Sequence, residues 1–292
     1  NMVWTTETGR ASQTKLVNCP SASAVYGARM REVWTCPGDK ILVSVDMDGA
    51  QLRLLANFMG DDDYTKAVLE GEEFNESHEY VGTDAHTKNA LAFGTLSEDL
   101  VERARKTQDE DLIKQITSIR KTGKNGTYAL LFGAGDAKLA STLKVKGGAK
   151  KGKQLKESFT TKLAKAGDLQ KRLKKMWLQN RFKNGGYIEV AGNTWVWCNS
   201  EHKLLNYLLM GSEACLQNEA VCWVNHMNIV RSLHGEQKAA VHDELTFEFP
   251  LPEEQQGIQL LSEMYSEASK RIGLDVLVTG TAQSGANWLE IH

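Results

Sequence analysis

Two acidic residues and one short basic helix carry the chemistry available to this chain. Asp46 closes the apolar run K-I-L-V-S-V-D (40–46), and Asp243 lies in A-V-H-D-E-L (240–245), just before a second apolar run. Carboxylates are how Mg²⁺ is usually held on a protein, because it wants oxygen ligands and keeps several waters. Two such ions about 4 Å apart activate an attacking oxygen and stabilise a leaving one. Between the two aspartates in sequence, Arg120, Lys124 and Tyr128 fall at i, i+4 and i+8. That spacing stacks them on one helix face. A cationic face that can receive a triphosphate completes the parts needed for phosphoryl transfer. Taken singly, each has a plainer reading: a turn aspartate after a strand, and a solvated basic helix edge. Gly123, Gly126 and Gly133 sit in and around this helix. Each glycine costs a helix about 1 kcal/mol but lets a ligand approach the backbone, so the expectation is a substrate platform.

The composition sets the frame for these parts. The 292 residues are 41% hydrophobic and 25% charged, with net charge −2, which suits a globular protein with a substantial core. Such a balance excludes a uniformly basic nucleic-acid binder, but Lys144–Lys175 is a run of lysines and arginines opposed only by Glu157 and Asp168. It reads either as a local phosphate-gripping surface or as a solvated helix face. Five scattered cysteines without a C-x-x-C pair indicate reduced thiols and a cytoplasmic location. No apolar run spans a bilayer and no signal pattern opens the chain, so no membrane role is expected. Gly147-x-x-x-x-Gly152-Lys153 imitates a phosphate-binding loop. Gln154 replaces the hydroxyl that would meet magnesium, and no strand precedes the segment, so that reading is rejected.

The elements that must position the site follow from periodicity. Residues 40–46 predict a buried strand and Leu52–Met59 a helix. Asp61 reads as a helix cap. Helices fill Asp84 to Leu178, with Ser97–Gln115 as a charged surface pair of no assigned function. Gly185–Val190 and Thr194–Cys198 predict a hairpin, and Leu204–Val230 a long helix. Ala239–Val241 and Leu245–Phe249 predict a second hairpin with Asp243 and Glu244 at its turn. Pro252–Ile272 predicts a helix opened by proline, and Val276–Thr281 a last strand. With strands at both ends and helices between, a small antiparallel sheet backed by helices, with a helical block inserted, is the natural architecture.

The three segments Val43–Arg53, Arg120–Tyr128 and Ala240–Leu245 resemble motifs A, B and C of family A DNA polymerases, the group of bacterial DNA polymerase I. Within it the chain resembles the branch from short-tailed lytic bacteriophages. T-E-T-G-R (6–10), D-A-H-T-K-N (84–89), L-F-G-A-G-D-A-K (131–138) and A-N-W-L-E-I-H (286–292) extend the resemblance over nearly the whole chain. It implies an α+β fold. A palm, a small antiparallel sheet with helices, would hold residues 1–60 and 206–292. An inserted helical fingers subdomain would hold 61–205, with thumb and exonuclease absent. It implies a template-directed DNA polymerase core that adds dNTPs to a primer 3′ end with two Mg²⁺ ions, Mn²⁺ being a substitute. A non-catalytic DNA-binding or scaffold protein with a decayed polymerase fold is the alternative.

The resemblance also assigns roles. Asp46 and Asp243 would hold the metals with the Met47 carbonyl, and Glu244 would be an accessory carboxylate. His86, Arg120 and Lys124 would contact the triphosphate, with Lys124 also assisting the leaving pyrophosphate. Tyr128 would stack on the incoming nucleotide. Arg10, Asn206 and His242 would touch primer–template DNA, and Lys144–Lys175 would lie near the template.

Four positions depart from the family pattern. Gln51 replaces a glutamate and Phe132 a tyrosine, a pair that hydrogen-bonds beside the substrate 2′ position. Losing both can be nearly neutral, so Gln51 is expected to block a 2′-hydroxyl by bulk. Met210 replaces a DNA-contacting glutamine, and Asp48 a small residue. Asn1 before Met2 reads as a remnant ahead of a natural start. The expectation is therefore a separate polypeptide that supplies thumb and 3′–5′ exonuclease, or else a shortened form of a longer chain.

Overall fold

The computed structural model describes residues 2, 3, 6–9, 12, 13 and 19–291. The chain divides into two units, one of residues 1–50, 189–196 and 210–292, the other of residues 51–188 and 197–209.

The first unit is built on a four-stranded antiparallel sheet in the order Glu236–Val241, Glu244–Pro250, Lys40–Met47, Gly280–Gly285. Lys40–Met47 is central, with Val43 opposite Phe247 on one side and Ser284 on the other. Its near-continuous apolar run suits a strand covered on both faces. Helix Glu254–Arg271 repeats Gly257, Leu260, Leu261, Met264, Tyr265 and Ala268 as one buried stripe, the 3.6-residue period of a core-facing helix. It lies against the strands, close enough that a Cβ on Gly257 would sit 2.9 Å from the Phe249 ring. On the other face, Leu42 clusters with Trp288 and Ile291.

The second unit is helical, from Gln51 through Ala164–Gln179. Asp61 accepts a hydrogen bond from the Tyr64 N–H and caps its helix as expected. Ser97–Gln115 contains helix Glu98–Thr107 and the start of helix Glu110–Leu131. This pair does not lie loose on the surface. Val101, Ala104, Leu112 and Ile116 bury with Tyr80, Ala90 and Leu96 as a separate small core.

Three element expectations shift. The last strand is Gly280–Gly285, not Val276–Thr281, because residues 276–279 lead into the sheet edge while Asp46 pairs with Thr281. Glu244 belongs to its strand, opposite Val241, so only His242 and Asp243 form the turn. Glu254–Arg271 is preceded by a short 3₁₀ turn at Leu251–Glu253 that takes the proline. Leu204–Val230 is one helix over the expected range, and Gly185–Val190 and Thr194–Cys198 are strands of a three-stranded sheet. Mixed helices and small antiparallel sheets make the chain α+β.

Candidate active site

The first unit gathers the acidic residues. Asp46, exposed near the end of its strand, receives the Met47 N–H on Oδ1 at 3.1 Å. Asp243 sits in the two-residue turn that joins Val241 to Glu244. That turn places His242 at φ +56°, a region costly for a non-glycine residue, so surrounding contacts must hold it. Two do so. Buried Gln217 donates from Nε2 to the His242 carbonyl at 3.2 Å, and Tyr265 donates from its hydroxyl to the Asp243 carbonyl at 3.0 Å. Neither brace is evident in the sequence, where Tyr265 is one more residue of an apolar stripe.

Tyr265 also reports the local field. Burial pushes its hydroxyl well above the ordinary tyrosine value, and the charges of Asp243, Asp46, Glu213 and Glu244 push it the same way. Four acidic groups thus act on one phenol. That negative field, with oxygen donors on Asp46, Asp243 and the Met47 backbone, fits a hard divalent cation. Among the described residues no three His, Cys, Asp or Glu side chains cluster as a ready-made metal cage. For Mg²⁺ the remaining ligands would be water and substrate phosphate.

Glu244 behaves differently from the other two. Ser44 opposes Thr246, so Ser44, Asp46, Glu244 and Thr246 share one sheet face. Glu244 Oε1 accepts from Ser44 Oγ at 2.5 Å, Thr246 Oγ1 at 3.1 Å and Trp288 Nε1 at 3.3 Å. The carboxylate is buried and binds the sheet to the C-terminal segment. Asp48 is held by Thr279, which donates to Oδ2 at 2.9 Å and accepts its N–H at 2.8 Å.

The second unit carries the basic helix. Asp109 caps it by accepting the Leu112 N–H at 2.9 Å, with Glu110 and Asp111 in the first turn. It ends at Phe132, followed by Gly133 at φ +76°. Gly123 and Gly126 have a packing cause, which corrects the ligand-approach expectation. A Cβ on Gly123 would lie 2.9 Å from the Ala90 Cβ, and one on Gly126 would lie 2.2 Å from Leu143 Cδ2. These glycines let Ala90 and Leu143 close onto the helix.

On the cationic face the residues differ. Lys124 is exposed. Arg120 is largely buried and held by two carboxylates. Its Nε lies 3.1 Å from both Asp84 oxygens, Nη2 lies 2.9 Å from Asp84 Oδ1, and Nη1 lies 3.0 Å from Glu73 Oε2. Asp84 also caps helix Ala85–Phe93 through the N–H groups of His86 and Thr87. Burial works to raise the Asp84 carboxyl, but hydrogen bonds from Arg120 and Thr87 hold it below its ordinary value. Burial, then the Arg120 charge, lowers His86 to about 4. Its Nδ1 has no hydrogen-bond partner among the described residues, so the ring is neutral at pH 7. Tyr128 lies between His86 and Phe132, with ring centroids 6.3 Å and 6.2 Å away. Gln51 is buried and Phe132 is 49% exposed. Asn206 stands beside Gly133, where a Cβ would meet its own Cβ at 4.0 Å.

The basic stretch folds as helices Gly148–Lys162 and Ala164–Gln179. Part of its charge is paired: Lys156 with Asp136 at 2.9 Å, Lys171 with Asp168 at 3.1 Å and Lys174 with Glu201 at 2.7 Å. These three lysines border a cleft of about 830 Å³ that also reaches Leu130, Gly133 and His202. Gly152 of the rejected phosphate loop is explained by packing, since a Cβ there would lie 1.8 Å from the Asp136 carbonyl. Arg10 lies outside the described residues.

A search of the curated proteins finds no match. Among solved structures the chain is similar to the POL domain of Pol1 from M. smegmatis in complex with DNA primer-template and dNTP. The TM-score is 0.71 at 21% identity, over 99% of this chain and 48% of that one. The chain thus spans about half the length of the structure it matches. The sequence profile of DNA polymerase family A matches residues 2–290. A match across nearly the whole chain, with the fold to accompany it, makes this protein a member of DNA polymerase family A.

Proposed function

We propose that this chain is the catalytic portion of a template-directed DNA polymerase that extends a primer 3′ end with dNTPs. The observation that carries the reading is that Tyr265 brings the two aspartates to one place, in a chain of this family: its hydroxyl bonds the Asp243 carbonyl at 3.0 Å, and its ring and the Asp46 carbonyl both border Gly280. On this reading the four-stranded unit is the palm and the helical unit the fingers. The matched structure was solved with primer-template and dNTP, and the same ligands are proposed here. The motifs point to the bacteriophage branch, and five scattered cysteines without a C-x-x-C pair favour a cytoplasmic setting.

Asp46, Asp243 and the Met47 carbonyl would hold two Mg²⁺ ions, or Mn²⁺ in their place. Such ions supply activation of the primer 3′ oxygen and charge neutralisation on the phosphates. The chain's own groups do the remainder. Arg120, Lys124 and neutral His86 bind the triphosphate, with Lys124 placed in solvent where it can protonate or neutralise departing pyrophosphate. Tyr128 offers a ring for the incoming base and sugar. Gln51 blocks a 2′-hydroxyl by bulk. His242, Asn206 and Arg10 contact primer–template DNA. Glu244 acts through the sheet that carries Asp46.

Primer extension by the wild type and by Asp243→Ala tests the reading. Mg²⁺-dependent extension is expected from the first and none from the second. A wild type that binds DNA without extending it would instead favour the non-catalytic reading.

A further inference from the structure

We infer that Glu73 competes with the nucleotide triphosphate for Arg120 and so sets the affinity for the incoming nucleotide. The inference deepens the proposed function and rests on Arg120 being a triphosphate ligand.

The two carboxylates on Arg120 are not equivalent. Asp84 is fixed by its own structural duties: it caps a helix and accepts from Thr87 Oγ1 at 2.7 Å. Glu73 reaches in from outside the helices. It touches Arg120 Nη1 at 3.0 Å and accepts from Thr117 Oγ1 at 2.7 Å. Thr117 and Arg120 are three residues apart, so both contacts lie on one face of the same helix. One guanidinium against two carboxylates leaves Arg120 itself with no spare charge, although the exposed Lys124 lies one turn further along the same face. An arriving triphosphate therefore finds Nη1 already occupied by Glu73. The guanidinium fork fits phosphate as it fits carboxylate, and Asp84 is tied to its helix cap and to Thr87, so Glu73 is the contact that yields.

Glu73 is placed by a constructed loop. After Gly71 the chain leaves and returns at Thr83. The Thr83 N–H donates to the Glu72 carbonyl at 2.8 Å, and the Val81 and Gly82 N–H groups donate to the Glu73 carbonyl at 2.9 and 3.1 Å. The loop is then fastened to the charged helix pair. Arg105 donates from Nε to the Val81 carbonyl at 2.6 Å and from Nη2 to the Gly82 carbonyl at 3.1 Å. Gln108 exchanges two hydrogen bonds with the Tyr80 backbone. The Ser97–Gln115 segment, for which the sequence offers no role, thus holds the loop that presents Glu73.

The test uses the full chain and tripolyphosphate as the probe, read by calorimetry, alongside KM and kcat for dNTP in primer extension. Glu73→Gln keeps the Thr117 contact and removes the charge. It is expected to tighten tripolyphosphate binding and lower KM about fivefold, the effect of one partly exposed ion pair, without raising kcat. Thr117→Val frees the same carboxylate by another route and is expected to shift KM in the same direction. Unchanged or weaker binding in folded Glu73→Gln, or a fall in kcat with KM constant, would overturn the inference. Arg120→Ala separates the two levels. If it leaves tripolyphosphate binding intact, the reading of Arg120 itself fails. If it weakens binding while Glu73→Gln does not tighten it, only the role of Glu73 fails.

Discussion

The hydroxyl of Tyr265 donates to the backbone carbonyl of Asp243 at 3.0 Å, so a fully buried helix residue holds the turn that carries a candidate metal ligand. Tyr265→Phe removes that donor with no change of packing. Its cost is expected to be about 1 kcal/mol, the net worth of one such bond, seen as a lower urea midpoint. Because the turn is already strained at His242, extension rate should fall further than stability does, with KM for dNTP little changed.

Glu244 and Asp243 are adjacent in sequence but are expected to fail differently. Glu244→Ala strands the Ser44, Thr246 and Trp288 donors. A loss of roughly 2–3 kcal/mol is expected from buried polar groups left without an acceptor. Asp243→Ala should leave stability within about 0.5 kcal/mol, as for a substitution away from buried networks, while abolishing extension. Denaturant melts of both variants, beside their extension rates, test whether Glu244 serves the sheet and Asp243 the proposed chemistry.

His86 gives stability an acid dependence. The unfolded chain protonates this ring near 6.5, whereas the folded one does so only at about 4. Between those values protonation favours the unfolded state, so stability is full above pH 6.5 and is lost as pH falls toward 4. The ring is partly solvent-screened, so the loss from pH 7 to 5 should be roughly 1 kcal/mol, less than the unscreened linkage. Asp84, held below its ordinary carboxylate value, adds a further loss only at still lower pH. Urea melts at the two pH values should show a shallower decline for His86→Gln.

Gly152 tests whether the imitation phosphate loop is a packing feature. A methyl at this position meets a backbone carbonyl at 1.8 Å, which no side-chain rotation relieves. Gly152→Ala should therefore cost about 2–3 kcal/mol, the upper range for overpacking. Nucleotide affinity should be unchanged at temperatures where the variant is folded. Lys153→Ala, at an exposed position of the same false motif, should alter neither by a measurable amount.

What the sequence determined by itself is local. Strand Lys40–Met47, helix Leu204–Val230 and the Asp61 cap are legible because a continuous apolar run, a 3.6-residue stripe and a side chain that accepts a near N–H depend on neighbours in the chain. The identity of Asp46, Asp243 and the Arg120 stripe is legible for the same reason: residue type and spacing fix what chemistry is on offer. Tertiary structure decided the rest. It decided that Gly123, Gly126 and Gly152 serve helix contacts, because only the partner atom reveals why a Cβ is forbidden. It decided that Glu244 is bound into the sheet, since its donors come from positions 44, 246 and 288. It also decided that the charged Ser97–Gln115 segment buries a small core and, through the 72–83 loop, places Glu73 on Arg120. Charge alone says that an arginine can hold a phosphate. Which carboxylates hold it first is set by segments 36 and 47 residues away in the chain (from 120 to 84 and from 120 to 73), and such distances leave no periodicity to read.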